Sequence, residues 1–164
     1  MSDIARELLH ADRNSGPGIL HYEWLRGGLD EGELTRHIGE VWSASEFPEG
    51  ALDDDASTSR WEWDEMFRAA GYTSDGKLAA PPETINLYRG GSTCDGMAWT
   101  TKRTTAEWFA QRWGEGVVWE HTFSGGELLA RIKGRGESEY VVSADALLRM
   151  ATDAPVVPPL RSEL

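Results

Sequence analysis

Cysteine is almost missing from this chain: Cys94 stands alone among 164 residues. No disulfide can form within it, and together with the lack of a basic and apolar leader this sets the expectation of a reducing, cytoplasmic setting. Long apolar runs are missing as well. Without a stretch of about 18 uncharged apolar residues, nothing is expected to span a membrane. Positive charge is scarce, with 16 Lys and Arg against 28 Asp and Glu and a formal net charge of -12. Nucleic-acid binding draws its affinity from cations that neutralise phosphates, so this balance argues against it and suits solubility or a basic protein partner. The four histidines, His10, His21, His37 and His121, show no metal-ligand spacing. No metal is expected, and a zinc site or a cysteine nucleophile has little support. Gly90-Gly91 follows a strand-like run but lacks the later glycines of a phosphate-binding or dinucleotide loop.

What is present is a chain long enough for one domain with a real core, in one or two lobes. Eight tryptophans point mostly to core packing. The first 80 residues read as helical. Residues 3 to 13 predict an amphipathic helix with Asp3 as N-cap and Ile4, Leu8 and Leu9 on one face, broken by Asn14-Ser15-Gly16-Pro17-Gly18. A second helix carries Ile19 to Leu25 until Gly27-Gly28 stops it, and a third starts at Asp30, whose spacing to Glu33 is that of a capping box, burying Leu34, Ile38, Val41 and Trp42. Pro48, Gly50 and Asp53-Asp54-Asp55 mark a solvated acidic loop rather than a Ca2+ cage. Ser59 and Glu62 predict the start of a fourth helix, with Trp63, Met66 and Phe67 on its buried face and Gly71 at its end. Lys77 to Pro82 reads as a linker.

After it the periodicity shortens. Strands are predicted at Ile85 to Arg89, Met97 to Thr100, Val117 to Phe123, Leu128 to Ile132 and Ser138 to Val142. Gly90-Gly91 is expected to turn or to let a ligand approach. Thr104 and Glu107 predict a helix cap ahead of a packing face of Ala106, Phe109, Ala110 and Trp113 that Gly114 ends, and Ser143 caps a last helix, Ala144 to Ala151. The Pro-rich tail, 153–164, is expected to pack poorly.

Three segments each place a polar residue in an apolar strand-like run: Leu87-Tyr88-Arg89-Gly90, Ala98-Trp99-Thr100-Thr101 followed by Thr105-Ala106-Glu107-Trp108-Phe109-Ala110, and Glu137-Ser138-Glu139-Tyr140-Val141-Val142. In order and spacing they resemble the Arg, Ser/Thr and Glu signature of mono-ADP-ribosyltransferases of the arginine, serine, glutamate clade, and are similar to small actinobacterial and phage members. The resemblance covers the second half. It implies an α+β fold, with a helical N-terminal lobe (1–80), a split β-sheet of the ADP-ribosyltransferase type (81–152) and the tail in one integrated unit. It implies NAD as substrate, no metal, a protein acceptor with arginine favoured, and a monomeric toxin or phage effector in the host cytoplasm.

The resemblance assigns Glu139 to the nicotinamide ribose and Glu137 to the acceptor, with Arg89, Gly90, Tyr88, Thr100 and Thr101 on the NAD side. A carboxylate is suited to stabilising the oxocarbenium-like centre formed when nicotinamide leaves. The guanidinium of Arg89 suits a diphosphate or ribose oxygen and is expected to face Glu139 across a pocket the size of a dinucleotide, a structural ion pair being its alternative. Tyr88 suits the core first and the NAD side second. In a regular strand Glu137 and Glu139 share a face, where like charge raises at least one pKa. Ala98 departs from the signature, which has a hydroxyl there, and this bears on rate more than on NAD binding. Trp108 and Trp119 suit the core first and nicotinamide stacking second. Two further readings stay open: an NAD glycohydrolase, and a catalytically weak member that binds a protein or nucleotide.

Overall fold

The computed structural model describes residues 3–12, 14–30, 32–45, 48–52, 56–112, 116–134, 138–152 and 160–161. It is an α+β chain of two compact units, Met1–Ala80 and Pro81–Leu164.

The first unit contains four helices, α1 (Asp3–His10), α2 (Gly16–Leu25), α3 (Glu33–Ala44) and α4 (Ala56–Ala70), and a hairpin of β1 (Thr73–Ser74) and β2 (Lys77–Leu78). Its core is aromatic. Trp42 of α3 meets Trp63 and Phe67 of α4 edge-on at 5.1 and 5.7 Å between ring centroids, with Leu20, Ile38 and Met66 buried around them. The indole N–H of Trp63 donates to the Pro48 carbonyl at 2.6 Å, so the ring is buried without losing its polar partner.

Four expectations for this unit change. Gly16-Pro17-Gly18 does not break a helix but opens α2, with proline in the first turn, where its missing N–H costs nothing. The break falls earlier, where the Asp12 carboxylate accepts from the backbone N–H of Asn14 and Ser15 and from the Ser15 hydroxyl; these bonds, the Asn14 N–H first, hold its pKa below the usual value. The third helix starts at Glu33 after a left-handed Gly32, and only half of the capping box forms, Asp30 N–H donating to Glu33 Oε2 at 2.7 Å. Ser59 lies inside α4, fully buried, so it is not the cap. Finally, the predicted linker holds strand β2. Asp75 and Gly76 both take positive φ, 52° and 80°, the two-residue turn that an Asp-Gly pair favours in a hairpin. Asp53, Asp54 and Asp55 lie outside the described residues.

The second unit is a sheet in the order β6-β7-β4-β3-β5-β8, every neighbouring pair antiparallel. The strands are β3 (Thr84–Gly91), β4 (Ala98–Thr100), β5 (Val117–Ser124), β6 (Leu128–Ile132), β7 (Glu139–Val142) and β8 (Leu160–Arg161); the helices are α5 (Arg103–Arg112) and α6 (Ala144–Thr152). The Ser143 hydroxyl accepts from Ala146 N–H at 3.1 Å, the expected cap of α6. Within the tail Leu160–Arg161 form β8, paired with Val117 and Val118, and residues 153–159 and 162–164 lie outside the described residues.

Helix α5 lies on β3 and β5 through a narrow strip: Ala106 and Ala110 are buried against Val118, with Tyr88 packed beside them. The approach is very close. A Cβ on Gly90 would stand 1.8 Å from the Ala106 carbonyl oxygen and 2.7 Å from Ala110 N. Gly90 and Gly91 therefore continue β3 instead of turning it, and the backbone that approaches Gly90 is the protein's own helix. Phe109 and Trp108, 45% and 56% exposed, are not core residues, because a contact this tight admits only alanine. Trp113 and Gly114 lie outside the described residues. Thr104 falls in the first turn of α5, and Glu107 pairs with Arg103 at 3.1 Å in place of a capping box.

Gly90→Ala is expected to destabilise the fold near the upper end of the ~1–3 kcal/mol that overpacking costs. Gly126→Ala, whose Cβ would meet nothing within 4 Å, should stay within about 0.5 kcal/mol. Urea unfolding of the two variants beside the parent chain measures both.

Candidate functional site

The three segments singled out in the sequence are adjacent strands, β7 beside β4 beside β3. Tyr88 pairs with Thr100, and Thr100 with Glu139, in direct register. Direct cross-strand partners share a face and stand about 4.5–5.5 Å apart at Cβ. Thr100 and Glu139 are thus side-by-side residues, both half-buried, on the face that carries α5. Tyr88 is committed to packing under that helix.

The turn after β4 holds this pair in place. Thr100 Oγ1 accepts from Lys102 N–H at 3.1 Å, bending the chain into α5. Thr101 N–H donates to the Ser138 carbonyl at 3.1 Å, and the two hydroxyls, Thr101 Oγ1 and Ser138 Oγ, share a short hydrogen bond. Thr101 therefore clasps the residue immediately before Glu139. Sequence reasoning missed Ser138 as the other half of this clasp; the only signal was its place inside Glu-Ser-Glu.

Arg89 is placed differently. Alternation along β3 turns it to the face opposite Tyr88, in line with its β5 partner Trp119. There its Nη1 donates to the Ala98 carbonyl at 2.8 Å, and the guanidinium lies on Gly96, where a Cβ would stand 2.0 Å from Nη2. The Trp99 indole donates to Gly96 O at 2.9 Å and the Trp119 indole to Gly91 O at 3.1 Å. The same face carries Tyr140, paired with Trp99 and with Arg131, whose guanidinium carbon lies 5.6 Å from the Tyr140 ring centre. Arg89 thus secures the start of β4 from the back of the sheet. The geometry unites Thr100 with Glu139 but turns the Arg89 side chain to the other face of the sheet, so the expectation that Arg89 and Glu139 face one another across a dinucleotide-sized pocket is not met. Gly90 is covered by α5, and Glu137 lies outside the described residues.

The face of Arg89 also carries a titrating group. His121, in register with Leu87, touches Phe123 edge-on at 4.6 Å. Burial lowers its pKa from the usual value, against the weaker opposing pull of the Glu127 carboxylate. Glu127 itself is pushed up by burial, but hydrogen bonds from Ser124 N–H and Oγ and from Arg149 outweigh this and leave it low.

Among the described residues no group of three or more His, Cys, Asp or Glu is arranged to hold a metal ion, and no helix is long and apolar enough to cross a membrane. No protein-family model, no curated protein and no solved structure matches this chain. The site is therefore read from its own chemistry: a half-buried carboxylate beside a hydroxyl, on a backbone clasped from both sides.

Because His121 is depressed in the folded chain, the unfolded chain takes up this proton first as pH falls. Its effect on stability is absent above about pH 6.5, and stability is lost below that as pH drops towards the folded value. His121→Gln is expected to flatten the change in urea midpoint between about pH 7.5 and pH 5.5, and an unchanged slope would remove His121 from the account.

Proposed function

We propose that this chain is an NAD-dependent mono-ADP-ribosyltransferase with a sheet of the ADP-ribosyltransferase type, modifying a protein side chain, with arginine the favoured acceptor. One observation carries the reading: the segments that resemble the three-part signature are neighbouring strands, and Thr100 stands in direct register with Glu139. Such a pair suits the chemistry. When the glycosidic bond of NAD breaks, nicotinamide leaves with the bonding electrons and positive charge develops at the ribose carbon. The Glu139 carboxylate stabilises that charge, and a guanidine nitrogen of the acceptor then attacks the same carbon and gives up a proton. By resemblance Glu137 receives that proton. Thr101, through Ser138, keeps Glu139 from turning away. The role of Arg89 is revised from clamping NAD to securing β4, since its guanidinium is engaged with the Ala98 carbonyl on the other face.

That same revision, with Ala98 in place of a hydroxyl, favours a second reading: a catalytically weak member that binds a protein or nucleotide without turnover.

Incubation with NAD and an arginine-rich acceptor protein, following nicotinamide release and label transfer, separates the readings. Glu139→Gln is expected to lower turnover by about 10²–10³-fold, as loss of a transition-state stabiliser does. Thr101→Val should lower it about tenfold, the kinetic equivalent of roughly 1.4 kcal/mol. Turnover untouched by Glu139→Gln removes the site. Free ADP-ribose without labelled protein identifies NAD hydrolysis, and NAD bound without turnover identifies the binding module.

A further inference from the structure

The outer side of α2 is made of residues that ordinarily sit against another surface. Gly16, Pro17 and Leu20 face inward and are buried, yet Tyr22 and Leu25 are 64% and 66% exposed, and Leu9 of α1 is 68% exposed. Gly18, Tyr22 and Leu25 follow one another at spacings of four and three, so they form one stripe along the helix. At Gly18 the stripe opens into a groove of about 510 Å³ lined by Glu7, Ser15, Gly18, Ile19, Tyr22 and Glu23. Gly18 is exposed and a Cβ on it would meet nothing within 4 Å, so the helix backbone is bare there.

Charge decides the occupant. Residues 1–80 hold 17 acidic against 7 basic side chains, a net -10 of the chain's -12. At the groove, Glu23 is held by Arg26 at 2.7 Å, and Arg26 lies 5.8 Å from the Tyr22 ring centre; Glu7, from α1, is exposed. A second copy would bring like charge to like charge, and an acidic segment would be repelled. We propose that this groove docks a basic amphipathic helix of another protein, with an apolar side chain of that helix seated over Gly18 against Tyr22, and its Lys or Arg residues facing Glu7. Helix-in-groove recognition reads apolar anchors one helical turn apart on the bound helix, and Gly18, Tyr22 and Leu25 repeat at a matching interval to receive them. The inference does not depend on transferase activity.

The test uses the full chain and two fluorescein-labelled peptides of identical Lys and Leu composition, one ordered as an amphipathic helix and one scrambled. By anisotropy the amphipathic peptide is expected to bind at least about tenfold more tightly than the scrambled one, and Gly18→Leu, whose Cβ would meet nothing within 4 Å, to remove about tenfold or more of that affinity. Glu7→Lys should weaken binding and reduce its salt dependence. Circular dichroism of Gly18→Leu confirms that the fold is kept. Equal binding of the two peptides, or binding unmoved by Gly18→Leu, overturns the proposal. So does a concentration-dependent dimer of the chain alone that Gly18→Leu dissolves, since the occupant is then a second copy.

Discussion

The second unit depends on how closely α5 lies on β3. Gly90 has no side chain to hold the helix off, Ala106 and Ala110 are the only side chains small enough to face it, and the carbonyl of Ala106 occupies the space a Cβ would need. That contact decides which face of the sheet is which. Tyr88 goes under the helix, and the register then carries Thr100 and Glu139 to the same face in the neighbouring strands. Every other site residue inherits its position from this choice, Arg89 included.

Local signals were legible wherever one side chain or one backbone conformation decides the outcome. Ser143 caps α6 because its hydroxyl reaches Ala146 N–H, and Gly71, at φ 81°, ends α4 because that conformation favours glycine. The buried stripe of Leu34, Ile38, Val41 and Trp42 followed from helical spacing alone. What failed were patterns whose meaning depends on a partner distant in sequence. Thr104 and Glu107 have the spacing of a cap, but Thr100 already turns the chain, so the helix begins before them. Phe109 fits an apolar stripe, yet the strand beneath α5 is too near to admit a ring. Gly90-Gly91 resembles a turn or a ligand approach, and only the crossing helix shows why glycine is there. The Asp75-Gly76 hairpin was readable in principle and was masked by the Ala and Pro that follow it.

The candidate site shows the same division. That three motif segments form neighbouring strands followed from their order and character. Which side chains share a face required the cross-strand register, and a shift of one residue reverses every assignment. Tyr88 and Arg89 are adjacent in the chain and therefore opposed across the sheet, so a motif that names both cannot place both at one ligand from the same regular strand.

That opposition bears on how the pair Thr100 and Glu139 can work. With the Arg89 guanidinium bonded to the Ala98 carbonyl and resting on Gly96, the first residue of β4 is held from behind, while Thr101 and Ser138 tie the far end of β4 to the start of β7. Glu139 is then fixed at both of its borders: laterally by the ladder to Thr100, and along its own strand by the clasp at Ser138. The backbone that carries Glu139 is so held, and under the proposed transferase reading that stiffness is the part of preorganisation the two strands contribute. Under the proposed reading the signature's hydroxyl is absent at Ala98, and the Arg89 bond to the Ala98 carbonyl holds the backbone at the same residue instead. A site built this way depends less on the number of polar groups at the ligand than on the stiffness of the two strands that present them.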